Sequence, residues 1–341
     1  MQAGQTQLER IADWLAQQGQ PRFRIQQVRD AWFAKKSWDE ALTLPKDLRE
    51  QAAAEFPWIS VRAKDVHVSN EDGTKKALLE LADGALIETV SMPNARDKRT
   101  VCVSTQVGCG MGCAFCATGT LGFTRDLTAD EIIDQVRFWR FSETEEISNI
   151  VFMGMGEPLV NYDAVSVAAA AFINDMEIGI TKIIVSTVGP QAGLKRLLED
   201  DAFPQVRIAL SLHAGTDGTR SKIVPMHKGT SIAELAEWAG AYLKRHGNRR
   251  HHLTLEYVML RNINDSTAEA RALVRAFGKY GSGVKLNLIP WNPTGAGMDA
   301  PDRETLEAFQ AIIEKGGIAT TIRQSRGMDI AAACGQLCLK Q

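Results

Sequence analysis

Cys109-Gly110-Met111-Gly112-Cys113-Ala114-Phe115-Cys116 places three cysteines in eight residues, with gaps of three and two, in a chain that has six cysteines in all. Mostly small residues fill the gaps, so the backbone is free to wrap one compact centre from a single loop. Thiolates are soft ligands and favour zinc or iron–sulfur over hard cations. A structural zinc site closes with four protein ligands, usually as two separated C-x-x-C hooks, and this chain has no matching second hook. A four-iron, four-sulfur cluster on three cysteines leaves one iron open to a substrate, whereas a closed cluster only transfers electrons. Three reduced cysteines with no ligand have no reason to cluster at this spacing.

The C-x-x-x-C-x-x-C pattern, with aromatic Phe115 before its last cysteine, resembles the signature of the radical S-adenosylmethionine (SAM) enzymes. The competing reading is a structural zinc knuckle with Cys102 or Cys334 as the fourth ligand.

The chain of 341 residues is long enough for one large domain and a small one. Its composition, 45% hydrophobic and 23% charged, is that of an ordinary globular protein. No apolar run approaches the roughly 18 residues of a membrane span, and the polar start Met1–Gln7 has no secretory core. Clustered thiols without a disulfide framework point to the cytoplasm. A net charge of −2 excludes coating of nucleic acid through the global field, but leaves room for a local basic face.

Residues 1–60 read as a helical accessory domain. Leu8, Ile11, Trp14 and Leu15 form an amphipathic stripe, a second helix runs from Ile25 to Phe33, and Pro45-Lys46-Asp47-Leu48 opens a third. Arg22, Arg24, Arg29, Lys35 and Lys36 make this unit basic, which suits either a solvated face or contact with RNA. Residues 61–94 follow as a separate unit, in which the period changes to two from about 65 to 93. Lys76–Leu81 and Ala85–Val90 read as a β-hairpin across Ala82-Asp83-Gly84, a bridge into the main domain.

From 95 to 341 strands and helices alternate. Strand-like runs occur at Thr100–Ser104, Asn149–Met153, Lys182–Ser186, Val206–Leu212, Leu253–Leu260, Val284–Ile289 and Ala319–Arg323. Capping boxes at Thr128, Ser231 and Ser266 start helices between them. Repeated strand–helix units predict an α/β fold, a partial (β/α) barrel, with a doubly wound open sheet as competitor. Active sites of such barrels lie beyond the strands' C-terminal ends. The cysteine loop, Gly154-Met155-Gly156-Glu157-Pro158, Ser186-Thr187-Val188-Gly189, Ser211-Leu212-His213 and Trp291-Asn292-Pro293 all fall there. The glycine-spaced loop allows close backbone approach to a ligand and resembles the loop that binds the amino group of SAM in radical SAM enzymes.

Cys102-Val103-Ser104-Thr105-Gln106-Val107-Gly108-Cys109, Met153–Pro158, Ser211–His213, Leu288–Pro293 and Ala333-Cys334-Gly335-Gln336-Leu337 together resemble the RlmN/Cfr family of RNA adenosine methyltransferases over nearly the whole chain. Pro158 after Glu157 is like the branch that modifies carbon 2 of adenine; the branch acting on carbon 8 tends to have alanine there. The resemblance implies methylation of an adenosine in large-subunit (23S) ribosomal RNA and in tRNA, with two SAM molecules. One methylates Cys334; the other, bound to a 4Fe-4S cluster on Cys109, Cys113 and Cys116, is cleaved to a 5′-deoxyadenosyl radical. That radical activates the methyl group on Cys334, which joins the base, and Cys102 then releases the product through a transient disulfide bond. By position, Gly156, Glu157, Ser186, Ser211, Leu212, His213 and Asn292 surround SAM, and Glu88 accepts the carbon-2 proton. The implied partners are RNA and an electron donor such as flavodoxin; no membrane is expected, and the chain is expected to be a monomer.

Two features stand outside this pattern. Cys338 follows Cys334 by four residues, one turn away if the tail is helical. Lys244-Arg245-His246-Gly247-Asn248-Arg249-Arg250-His251-His252 is the densest basic run, fit for RNA phosphates or for a solvated loop. The rival functions are a carbon-8 adenine methyltransferase and a non-catalytic RNA-binding protein with structural zinc.

Overall fold

A computed structural model describes residues 5–225, 230–247 and 252–339. Three helices come first: α1 (Gln7–Gln17), α2 (Phe23–Ala34) and α3 (Lys46–Glu55). The α1 stripe buries Ile11, Trp14 and Leu15, and Thr6 and Glu9 close a capping box at its start. Pro45 precedes α3, where its missing N–H costs nothing. Trp32 and Phe33 are buried, so these aromatics face the core and not a nucleic acid.

Strands β1 (Val61–Val68), β2 (Lys75–Leu81), β3 (Leu86–Pro93) and β4 (Arg99–Cys102) run antiparallel in succession. The expected hairpin is β2–β3; β1 was not legible, because its burial is confined mainly to Val61 and no clean alternation marks it. After β4 come a two-stranded ribbon, β5 (Gln106–Gly108) with β6 (Phe123–Asp126), then helix α4 (Ala129–Ser142) and β7 (Ile147–Phe152). The remaining units are α5 (Tyr162–Asn174), β8 (Ile183–Thr187), α6 (Gln191–Glu199), β9 (Arg207–Ser211), α7 (Asp217–Ile223), α8 (Ile232–His246) and β10 (Leu253–Met259). They end with α9 (Thr267–Phe277), β11 (Val284–Pro290), α10 (Arg303–Lys315) and β12 (Ala319–Ile322).

Among the described residues the main sheet has the order β1-β2-β3-β4-β7-β8-β9-β10-β11-β12. From β4 onward every pairing is parallel. The seven parallel strands follow one another in chain order, with no reversal of the kind that defines a doubly wound sheet. Each crossover passes through a helix that covers the same face, and the result is a partial (β/α) barrel. Buried Val101, Ile150, Val185, Ile208, Leu255 and Leu286 occupy successive strands of its wall, each contributing roughly 1.5–3 kcal/mol by burial. No described helix is long and apolar enough to cross a membrane.

Helix α4 joins the accessory helices to the barrel. Arg137, fully buried, pairs with Asp134, donates Nε–H to the Trp32 carbonyl at 3.0 Å and lies 4.2 Å from the Trp32 ring centroid. Asp134 also accepts the Ser60 N–H at 2.6 Å, and Asp130 accepts that of Gln7 at 2.7 Å. Burial, then the neighbouring Asp134, pushes the Asp130 carboxyl up to about 6.

The boxes at Thr128 and Ser231 form as expected. At Ser266 only half the box forms: its hydroxyl accepts from Glu269 N–H, but the Glu269 carboxylate turns away to Thr216 N–H and the hydroxyls of Thr216 and Thr219. Several donors in a buried turn outweigh one solvent-accessible backbone amide.

Candidate active site

The parallel strands end in an open cleft lined by all three thiols of the cysteine loop. The loop leaves β5 through Gly108, whose φ is +75°; a Cβ there would lie 2.0 Å from the Gly122 carbonyl oxygen. Cys109 N–H donates to that same carbonyl at 2.7 Å. Ala114 N–H reaches the Ile223 carbonyl at 2.9 Å, and Ala117 N–H the Gly335 carbonyl at 2.7 Å, so α7 and the C-terminal tail both fix the loop.

The donor set fits a polynuclear cluster. Burial raises the thiols of Cys109, to about 11, and of Cys113, and the neighbouring cysteines push both further. Bound cations invert that logic and stabilise the thiolates. All three thiols open onto the same cleft, and soft thiolates suit iron–sulfur or zinc over hard cations.

Gly156, Glu157, Ser186, Ser211, His213 and Asn292 line the same cleft. Gly156 has φ +106°, and a Cβ would meet Gln106 and Thr105 at 2.7 Å. Glu157 is buried and its carboxylate braces the wall: Oε1 accepts from Thr187 Oγ1 at 2.6 Å and Leu159 N–H at 3.0 Å, Oε2 from Val188 N–H at 2.9 Å. Burial nevertheless raises its pKa. Ser186 and Ser211 hydroxyls lie 3.0 Å apart across the ends of β8 and β9. His213 adopts φ +60°. Its Nδ1 accepts from Val258 N–H at 3.1 Å, which in the neutral ring assigns the proton to Nε2. Burial, helped by Arg220, holds this imidazole down at about 3. Leu212 differs from the rest: its side chain is fully buried in the hydrophobic core, and its carbonyl accepts Arg220 Nε–H at 3.0 Å.

Cys334 lines this cleft and also a second cavity of about 730 Å3, whose wall includes Cys102 at the end of β4. Cys334 is exposed to solvent within the cleft although protein surrounds it, and burial raises its thiol. Cys102 is pushed up to about 12, by burial first and then by Cys334. All six cysteines are free thiols; the disulfide bond implied by resemblance is not formed in this state. The tail is not helical beyond Cys334, so Cys338 is not one helical turn away. Its backbone N–H instead reaches Glu88 Oε2 at 2.7 Å. Glu88 is sealed beneath the tail and touches neither cavity. Ser104 links it to the site: its hydroxyl donates to the Glu88 carbonyl at 2.6 Å and accepts Met155 N–H at 2.9 Å.

Three residues were not anticipated, Arg323 and Glu256 in the cleft wall and Arg220 outside it. Arg323, just past β12, lines both cavities and lies 3.7 Å from Glu256; its strand-end position was the available signal. Glu256 shares the first cavity with it. Arg220 joins the carbonyls of Val188, Ser211 and Leu212, which no local pattern announces. In the basic run, Lys244 and Arg245 end α8 exposed, and Arg245 pairs with Asp201; residues 248–251 lie outside the described residues.

A family model described as the radical SAM superfamily matches residues 103–274. The chain is 40% identical over 338 residues to a Thermotoga maritima protein named "Probable dual-specificity RNA methyltransferase RlmN", covering 98% of this chain and 96% of that one. It is 37% identical over 334 residues to a Nitrosopumilus maritimus protein named "Ribosomal RNA large subunit methyltransferase N", covering 94% and 93%. A crystal structure of a radical SAM methyltransferase from Sphaerobacter thermophilus superposes with a TM-score of 0.90 at 38% identity, over 99% of both chains. With its cysteine loop at the mouth of a partial barrel and its homology running from end to end, the chain belongs to the RlmN family of radical SAM RNA methyltransferases.

Proposed function

We propose that this enzyme methylates carbon 2 of an adenosine in large-subunit ribosomal RNA and in tRNA, through a methyl group carried on Cys334. The observation that carries the reading is the position of Cys334 in the wall of two cavities, one holding the cluster thiols and the other Cys102. When bound, a 4Fe-4S cluster on Cys109, Cys113 and Cys116 and SAM supply a 5′-deoxyadenosyl radical, chemistry that belongs to the cofactor.

The chain's own residues do the rest. Gly156 leaves room for close backbone approach to SAM, and Ser186, Ser211, His213 and Asn292 offer it polar contacts. The Cys334 thiolate would take its methyl group from a first SAM, whose sulfonium leaves as the neutral thioether. Once the methyl carbon is joined to the base, Glu88 accepts the carbon-2 proton. Cys102, as a thiolate, attacks the Cys334 sulfur; the sulfur–carbon bond breaks with its electron pair on the carbon, which takes a proton to complete the methyl group on the base, and a Cys102–Cys334 disulfide is left. The names of the relatives support an RNA substrate, and one of them names large-subunit ribosomal RNA. Exposed Arg22, Lys35, Lys36 and Lys244 supply cations for phosphates and predict a salt-dependent affinity.

The test is nucleoside mass spectrometry on RNA treated with anaerobically reconstituted enzyme, reductant and SAM. We expect 2-methyladenosine, none of it with Cys334→Ala, and a covalent protein–RNA adduct with Cys102→Ala. An 8-methyl product overturns the carbon assignment; normal turnover by Cys102→Ala overturns the two-cysteine route.

A further inference from the structure

Glu88 sits on β3 with 1% of its surface exposed, and its carboxylate has two kinds of partner. Lys76 Nζ, on β2, lies 3.0 Å from Oε1, with both side chains buried. The backbone N–H groups of Cys338 and Leu339 donate to Oε2 at 2.7 and 3.1 Å. These partners differ in permanence. Val90 pairs with Lys76 and Glu88 with Leu78 in the β2–β3 ladder, so Lys76 and Glu88 are diagonal neighbours on one face of a regular sheet. The tail has no such ladder, and Leu339 is held at φ +58°, a conformation that costs a non-glycine residue free energy.

A lysine is almost never buried without a partner. The other contact of the Lys76 ammonium is a long one, 3.4 Å to the Ala331 carbonyl. We propose that Lys76 is a positioning residue for Glu88: it balances the buried carboxylate charge and fixes its direction, while the tail amides release Oε2 to the substrate. The proposal rests on the reading of Glu88 as proton acceptor. In that step the carbon-2 proton bonds to Oε2, the C–H electron pair stays with the base, and Lys76 remains an ammonium ion. Lys76 therefore stays on the hairpin throughout, and the tail is the part that moves.

The experiment is a single turnover by cluster-loaded enzyme, methylated on Cys334, with reductant, SAM and an RNA substrate fragment. Protein–RNA adduct is followed on denaturing gels and methylated nucleoside by mass spectrometry. Lys76→Met is expected to form adduct at the wild-type rate and resolve it about tenfold more slowly, a fraction of what general-base catalysis supplies. Lys76→Arg should recover most of that loss. Glu88→Gln should itself slow resolution, and Lys76→Met/Glu88→Gln should be no slower than Glu88→Gln alone. The double variant removes both charges together, so it leaves no lone buried ion to unfold the protein. Equal slowing by Lys76→Met in both backgrounds marks a merely structural lysine and overturns the proposal, as does wild-type resolution by Lys76→Met. Wild-type resolution by Glu88→Gln instead shows that Glu88 is not the proton acceptor, and the role of Lys76 falls with it.

Discussion

Asn292 donates its Nδ2–H to the backbone carbonyl of Cys334 at 3.0 Å, while its Oδ1 accepts the hydroxyl of Ser325. A residue at the mouth of the cleft thus holds the segment that carries the reactive thiol. The tail has further ties to this region: Thr118 Oγ1 donates to the Leu337 carbonyl at 2.6 Å, and Gln336 Nε2 to the Pro293 carbonyl at 2.9 Å.

Asn292→Ala removes one neutral hydrogen bond, worth about 1 kcal/mol of stability. Its effect on activity should be larger. A displacement of Cys334 near 1 Å is expected to slow methylation roughly ten- to hundredfold, with the cysteine loop and its iron content unchanged. Iron analysis beside a methylation assay separates the two effects.

Gly108→Ala should damage the cysteine loop. The substituted residue carries both a left-handed backbone and a clash with the Gly122 carbonyl, and the strain alone costs about 1–3 kcal/mol. Expected is a lower melting temperature together with a loss of iron and acid-labile sulfide after reconstitution. Iron loading equal to wild type would show that the loop relaxes around the new Cβ.

His213 makes a pH prediction with a definite sign. Its folded-state value, about 3, lies below the ordinary value of about 6.5. Its contribution to stability is therefore complete above pH 6.5 and is lost as pH falls towards 3. The full effect is of order 5 kcal/mol. His213→Asn, which tolerates the positive φ, should flatten the acid limb of stability measured by urea denaturation between pH 6.5 and 4. An unchanged slope would refute the burial account.

Arg137→Met should destabilise the junction between the accessory helices and the barrel. It strands the Asp134 charge in a buried site and removes the guanidinium from the Trp32 ring. Loss of one partner of a buried pair costs about 3–5 kcal/mol. Limited proteolysis should then cut near Ser60 before the barrel unfolds, and Arg137→Met/Asp134→Leu should recover part of the loss.

Much of this protein is local in origin. The cysteine spacing, the apolar strand runs and the boxes at Thr128 and Ser231 are each set within a few residues, so the chain alone determined the repeated strand–helix units and the loops after them, while the strand order decided for the barrel over a doubly wound sheet. Those loops meet because strand ends converge in any parallel barrel. Tertiary structure decided what depends on distant partners. Glu88 takes a backbone N–H from 250 residues away, and Asn292 reaches a carbonyl 42 residues on. Glu269 leaves its own capping box for a turn 50 positions earlier. Strand β1 takes its place at the edge by pairing with β2, not by any alternation of its own. A buried polar group goes to whichever donors the folded chain brings within hydrogen-bond distance, and no sequence window contains those neighbours.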